Sequence, residues 1–113
     1  MKGFIGALLV LLAVPAEAAI VREFHCDVLE AVAHSTLQLK MLGDTEEEIK
    51  DTMVASIIRA PDDIRYRMLE VYGYIEAVIE MAFKLPEDEL PGLPESSRVA
   101  CLLNLGKTIE KEQ

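Results

Sequence analysis

The stretch PDDIRYRMLEVYGYIEAVIEMAFK, residues 61–84, sets apolar side chains at Ile64, Met68, Val71, Tyr72, Ile75, Ile79, Ala82 and Phe83. Their steps are threes and fours, the period of a helix with one buried face and not the alternation of a strand. Pro61 suits a first helical turn, and Asp62 and Asp63 sit where the helix dipole favours anions. Gly73 costs ~1 kcal/mol relative to alanine and points to a close helix crossing near Tyr72. This stretch predicts the longest helix and the centre of the core.

Two further helices are predicted on its N-terminal side. Asp44-Thr45-Glu46-Glu47-Glu48 opens one of them. Thr45 as N-cap and Glu48 three residues on form a capping box. Ile49, Met53, Ser56 and Ile57 give its inner stripe, and Val54 and Ile58 widen it, so burial on more than one side is expected. The earlier helix runs from about Val21 to Leu42, with Phe24, Val28, Ala31, Val32, Leu39 and Leu42 on its inner face. Gly43 follows, where a left-handed cap is usual.

On the C-terminal side, Pro86, Pro91, Pro94 and Gly92 break the chain between Lys84 and Glu95. Leu85, Leu90 and Leu93 anchor that segment, and Glu87-Asp88-Glu89 keep it wet. A last helix is expected from about Glu95 to Leu105, and Lys107–Gln113 as a frayed polar tail. The fold class is all-α: a small four-helix array in one domain, residues 19–106.

Met1 to Ala18 has the three parts of a signal peptide: Lys2, an apolar run from Gly3 to Val14, and Ala16-Glu17-Ala18 as a cleavage site. The run is shorter than the ~20 residues that span a bilayer. Cleavage after Ala18 and a periplasmic or secreted location are therefore expected, without stable membrane insertion. The net charge of −9 is unchanged by losing Lys2 and Glu17. It argues against nucleic acid and anionic membrane as partners and leaves a protein, including a cationic one, as the expected partner. Oligomeric state is not set by these features.

Cys26 and Cys101 are the two cysteines of the chain. In an oxidising compartment they should pair, joining the first helix to the last. Redox pairs usually sit two residues apart, and a metal site wants more ligands. His25, Cys26, Asp27 and His34 have the residue types of a zinc site, but the histidines fall near opposite sides of a helix. Two partly exposed histidines, no metal and no cofactor are expected there. No nucleophile has a recognisable setting and no glycine-rich phosphate loop is present, so no catalytic residue is assigned and the chain is read as a non-enzyme. Arg59, Arg65, Tyr66, Arg67 and Tyr74 form the candidate contact surface, a basic concentration on an acidic chain. Met41, Met53, Met68 and Met81 are read as core packing.

The run from Cys26 through Gly43-Asp44-Thr45-Glu46-Glu47, then Pro61, Met68 and Val71-Tyr72 to Cys101 resembles a family of small exported bacterial helical proteins. These carry an early cysteine, a G-x-[ST]-E-E helix start, a V-Y pair in the long helix and a closing cysteine. The resemblance implies the fold and the bridge and no activity, and this chain has a longer proline-rich stretch before its last cysteine. In architecture, though not in motifs or cysteine spacing, the chain is also similar to the periplasmic acid-stress chaperones of the HdeA type. That likeness implies acid protonation of carboxylates such as Glu48 and Asp62, and exposure of apolar helix faces to clients. A non-catalytic binding module is the first expectation, an acid-activated holdase chaperone the alternative, and an enzyme of unknown class the third.

Overall fold

The computed structural model describes residues 19–109; the expected signal peptide, residues 1–18, lies outside them. Five α-helices follow in order: α1 Glu23–Met41, α2 Glu46–Arg59, α3 Asp62–Glu70, α4 Tyr72–Lys84 and α5 Leu93–Leu102, with a 3₁₀ turn at Glu87–Gly92 between the last two. Among the described residues there is no strand; one antiparallel bridge joins Ile20 to Thr108. The expected all-helical array is present, with its third segment divided into α3 and α4.

The division falls at Val71. Its N–H donates to the Met68 carbonyl (3.2 Å), three residues back, and helical bonding resumes with Ile75 N–H on the Val71 carbonyl at 2.9 Å. Val71 is β-branched and Gly73 lies two residues on; both are weak helix formers, and Gly is a common site of kinks. The apolar period runs straight through the break, which is why the sequence reads as one helix.

The ends of α1 and α2 follow local chemistry. Gly43 takes φ +98°, its N–H donates to Lys40 O, and Asp44 N–H donates to Leu39 O, the pair of bonds that ends a helix on a left-handed glycine. Thr45 N–H donates to Glu48 Oε1 (2.8 Å) and Glu48 N–H to Thr45 Oγ1 (3.1 Å), the expected reciprocal cap. Arg65 then fastens the next corner. Its guanidinium donates to the Ile58 and Ala60 carbonyls at the end of α2 and pairs with Asp62 at the start of α3.

The main core joins Leu29 and Val32 of α1, Ile49, Met53 and Ile57 of α2, Ile75 and Ile79 of α4, with Val71 and the disulfide. A second cluster gathers Ala33, Ala82 and Leu93, with Leu85 and Leu90 packed on it. The three leucines thus anchor the proline-rich segment as expected, while Pro94 is admitted inside the first turn of α5, where no N–H is needed.

Several expected core positions are corrected. Ala31, Val54, Ile58 and Leu42 are exposed, so α2 buries one face only. On α1 the buried face is His25, Cys26, Leu29, Val32, Ala33 and Thr36. It is rotated from the apolar stripe because Cys26 must face α5 and because His25 is satisfied by hydrogen bonds. Met53 is core and Met68 packs on it, but Met41 and Met81 are exposed.

The disulfide is formed, Cys26 to Cys101 with Cα atoms 5.3 Å apart and a sequence separation of 75. Beside it the expected frayed tail is corrected over Lys107–Ile109. Val21 N–H donates to Lys107 O, Gly106 N–H to Val21 O and Ile109 N–H to Ala19 O, at 2.8–2.9 Å. Ile109 is buried in the main core. The segment Ala19–Arg22 is therefore a strap paired with Gly106–Ile109; one buried isoleucine outweighs the polarity of its neighbours.

Candidate binding groove

The five residues expected to form a contact surface are not gathered into one. Arg65 is engaged at the α2–α3 corner. Arg67 lies 4.2 Å over the Phe24 ring. Arg59 and Tyr66 are exposed. Tyr74 alone of the five lines an apolar groove.

That groove lies between α4 and α5. Both helices rest on α1, and they make little contact with each other. Tyr74, Ala77, Val78, Met81 and Leu85 form the α4 wall; Leu93, Ser96, Ser97, Ala100 and Asn104 form the α5 side. Val21 of the strap, Leu29 of α1 and Cys101 of the bridge make the floor. The cavity volume is about 520 Å³. Each wall spans residues eleven apart, or about 16 Å at the helical rise.

The sequence pattern explains the wall. α4 carries two apolar stripes. Ile75, Ile79 and Ala82 face the core, and Tyr74, Ala77, Val78 and Met81 turn about a third of a circle away, by the 100° step per residue. A single apolar period seen in sequence conceals two faces with different neighbours. On α5 the middle of the groove side is made of small residues, Ser96, Ser97 and Ala100, whose short side chains leave the gap unfilled.

The groove is uncharged throughout, on a chain in which 27% of residues are charged. Its hydroxyl and amide groups are partly occupied: Ser96 Oγ donates to Leu93 O and Asn104 Nδ2 to Ala100 O. Charged pairs lie elsewhere. Arg98, on the other side of α5, pairs with Asp27 and lies 3.6 Å from Glu30. Lys50 reaches Glu80 at 2.9 Å and Glu46 at 3.3 Å. The hydrogen bond to Glu80 holds Lys50 above the ordinary lysine range, and Lys50 in turn holds Glu80 below the ordinary carboxylate range. Burial, then the charge of Glu76, pushes the Tyr72 phenol up; Tyr72 packs on the core and not in the groove.

The histidine cluster resolves into separate tasks. Cys26 is in the bridge, Asp27 pairs with Arg98, and His34 is exposed. His25, expected to be partly exposed, is 1% exposed. Its Nδ1 accepts the Arg22 backbone N–H at 3.0 Å, and its Nε2 lies 2.9 Å from Glu70 Oε1. The backbone N–H is an obligate donor, so the ring proton sits on Nε2 and is donated to Glu70. His25 N–H returns to the Arg22 carbonyl at 3.0 Å, and the Phe24 ring lies against the imidazole at 4.4 Å between centroids. The sequence gives no sign of this burial, because Glu70 is 45 residues away. Among the described residues no group of three or more histidines, cysteines or acids is placed to hold a metal ion, and no helix is long and apolar enough to cross a membrane. No family model matches the chain, and neither a curated protein nor a solved structure matches it.

Proposed function

We propose that this chain is an exported, non-catalytic binding module that holds the apolar face of a partner polypeptide's helix in the groove between α4 and α5. The observation that carries the reading is an uncharged, three-turn groove left open between two helices that share a base on α1. A guest helix of about eleven residues with apolar side chains at steps of three and four matches its length and lining. The net charge of −9 favours a guest whose outer face is basic. Export is supported by the bridged cysteines and by the N-terminal apolar run.

The test uses the oxidised protein and an eighteen-residue amphipathic Leu/Lys helix as probe, with the same composition scrambled as control. Amide shifts at Ala77, Met81 and Ala100 on adding the ordered peptide, and a loss of at least tenfold in affinity in Met81→Asp, are expected. Equal binding of the scrambled peptide, or shifts confined to other surfaces, would remove the reading.

A second reading is the acid-activated holdase. It is favoured by carboxylates that serve the fold as anions: Glu48 in its cap, Asp27 with Arg98 and Glu80 with Lys50. Circular dichroism and light scattering from pH 7 to 2 decide it. Loss of tertiary packing with suppression of client aggregation supports it, and a protein that stays folded and inert rejects it.

A further inference from the structure

The fold places its one histidine with both ring nitrogens bonded beside the groove floor. His25 Nδ1 holds the N–H of Arg22, and Val21, the preceding residue, is the strap's contribution to that floor. His25 Nε2 holds Glu70, the last residue of α3. The imidazole therefore ties the strap to the far side of the molecule, and it does so only while Nδ1 lacks a proton.

We infer that His25 is an acid-operated latch on the groove. Protonation puts an N–H on Nδ1, facing the N–H of Arg22 at hydrogen-bond distance. Two donors cannot share that contact. The Nε2–Glu70 bond gains a second charge and becomes an ion pair, so the ring stays with α3 and the strap is the partner released. The charged groups beside the ring are Glu70, at its Nε2, and Arg67, which lies over the Phe24 ring tilted against the imidazole. The Arg22 side chain is exposed. Among the described residues no charged group of α2, α4 or α5 bonds to the imidazole, and α5 meets this turn of α1 through the Cys101 bridge. Release of Arg22 N–H leaves the strap held by its bonds to Gly106–Ile109, by the His25 N–H on the Arg22 carbonyl and by the burial of Val21, with one tie fewer under the groove floor.

The position in the helix gives the test its control. His25 is the third residue of α1, with Arg22 as N-cap. That third position is where glutamine commonly accepts the N-cap N–H. His25→Gln thus keeps the bond and has no proton to gain. The oxidised full chain and this variant are followed by amide and imidazole NMR from pH 7.5 to 5, the range in which histidines titrate. Exposed His34 reports an imidazole without these contacts. In the wild type the Arg22 and Val21 amide signals are expected to move with the His25 ring at one midpoint. Exchange protection of the Gly106 and Ile109 amides should fall about two- to tenfold after correction for intrinsic exchange, as for one lost hydrogen bond. His25→Gln should show neither change. A His25 ring that stays neutral to pH 5, an Arg22 amide that is silent while His25 titrates, or equal loosening in His25→Gln overturns the latch.

Its effect on the groove rests on the binding reading above. Affinity for the Leu/Lys helix, whose own charge is constant over this range, should fall two- to tenfold between pH 7.5 and 5 in the wild type and hold steady in His25→Gln. A latch seen by NMR in a protein that binds no peptide overturns the binding reading alone. A silent Arg22 amide in a protein that binds the peptide overturns the latch alone.

Discussion

The two flanks of α1 are built differently. On one flank α5 is joined by the Cys26–Cys101 bridge, by Arg98 against Asp27 and Glu30, and by the strap that runs alongside. On the other, α2 and α3 meet α1 through apolar packing at Ile49, Met53 and Ile57, with His25 to Glu70 as the polar tie. The apolar flank is filled; the bridged flank holds an open groove. A covalent tie keeps two elements together without close packing, so a cavity beside it can persist. A flank held by burial alone has no such freedom, because an unfilled void there would remove the contacts that hold it.

The largest expected effect comes from cutting the covalent flank. The double variant Cys26→Ala/Cys101→Ala should lose roughly 4–5 kcal/mol by the loop-entropy account, measured by denaturant unfolding. If the contrast is right, the loss is accompanied by exposure of the strap and α5 amides to exchange ahead of α2. Uniform loosening would show that the two flanks are one cooperative unit.

Next is a deletion in the packed flank. Ile49 is fully buried in the main core, and Ile49→Ala should cost about 2–5 kcal/mol. The same measurement on Val78→Ala, in the groove wall, should give a smaller loss because that side chain is already next to open space. Equal costs at the two positions would erase the distinction between filled and open flanks.

The smallest effect concerns pH. Glu80 is held below the ordinary carboxylate range by Lys50 across α2 and α4. A depressed carboxylate stabilises the fold above its unfolded value, ordinarily ~4.3, and that stabilisation is lost as pH falls through the lower folded value. Glu80→Gln should therefore flatten the slope of stability against pH below about pH 4.5 and leave it unchanged between pH 6 and 8. The raised Lys50 acts in the opposite sense: its share is complete at neutral pH and is lost only in strong alkali. Both groups are partly exposed, so salt should shrink the effect.

The parts of the fold written in local pattern were legible. The Thr45–Glu48 cap, the Gly43 stop and the stripe through Ile75 and Ile79 are decided within a few residues, and the bridge is expected from two cysteines behind a signal-like N-terminal run. What escaped depends on residues far apart. His25 is buried because Glu70 and the Arg22 N–H satisfy it, and a lone imidazole in a sequence does not show its partners. The groove escaped because Met81 reads as core, while Ala77 and Val78 belong to a second face that the stripe through Ile75 and Ile79 conceals. Tyr74, an expected contact residue, lines the groove, but Arg59, Arg65, Tyr66 and Arg67 are near it in sequence only. Space separates them: Arg65 serves a corner and Arg67 an aromatic ring.

The pairing of Ala19–Val21 with Gly106–Ile109 also sets a clock. Synthesis and any threading of the chain proceed from one end, yet the first described residues find their hydrogen-bond partners only in the last. α1 can become helical early, but its start stays unfastened until Cys101 and then Ile109 have arrived. The ring closes at the final step, and a nascent chain stopped short of Ile109 has every helix and no clasp.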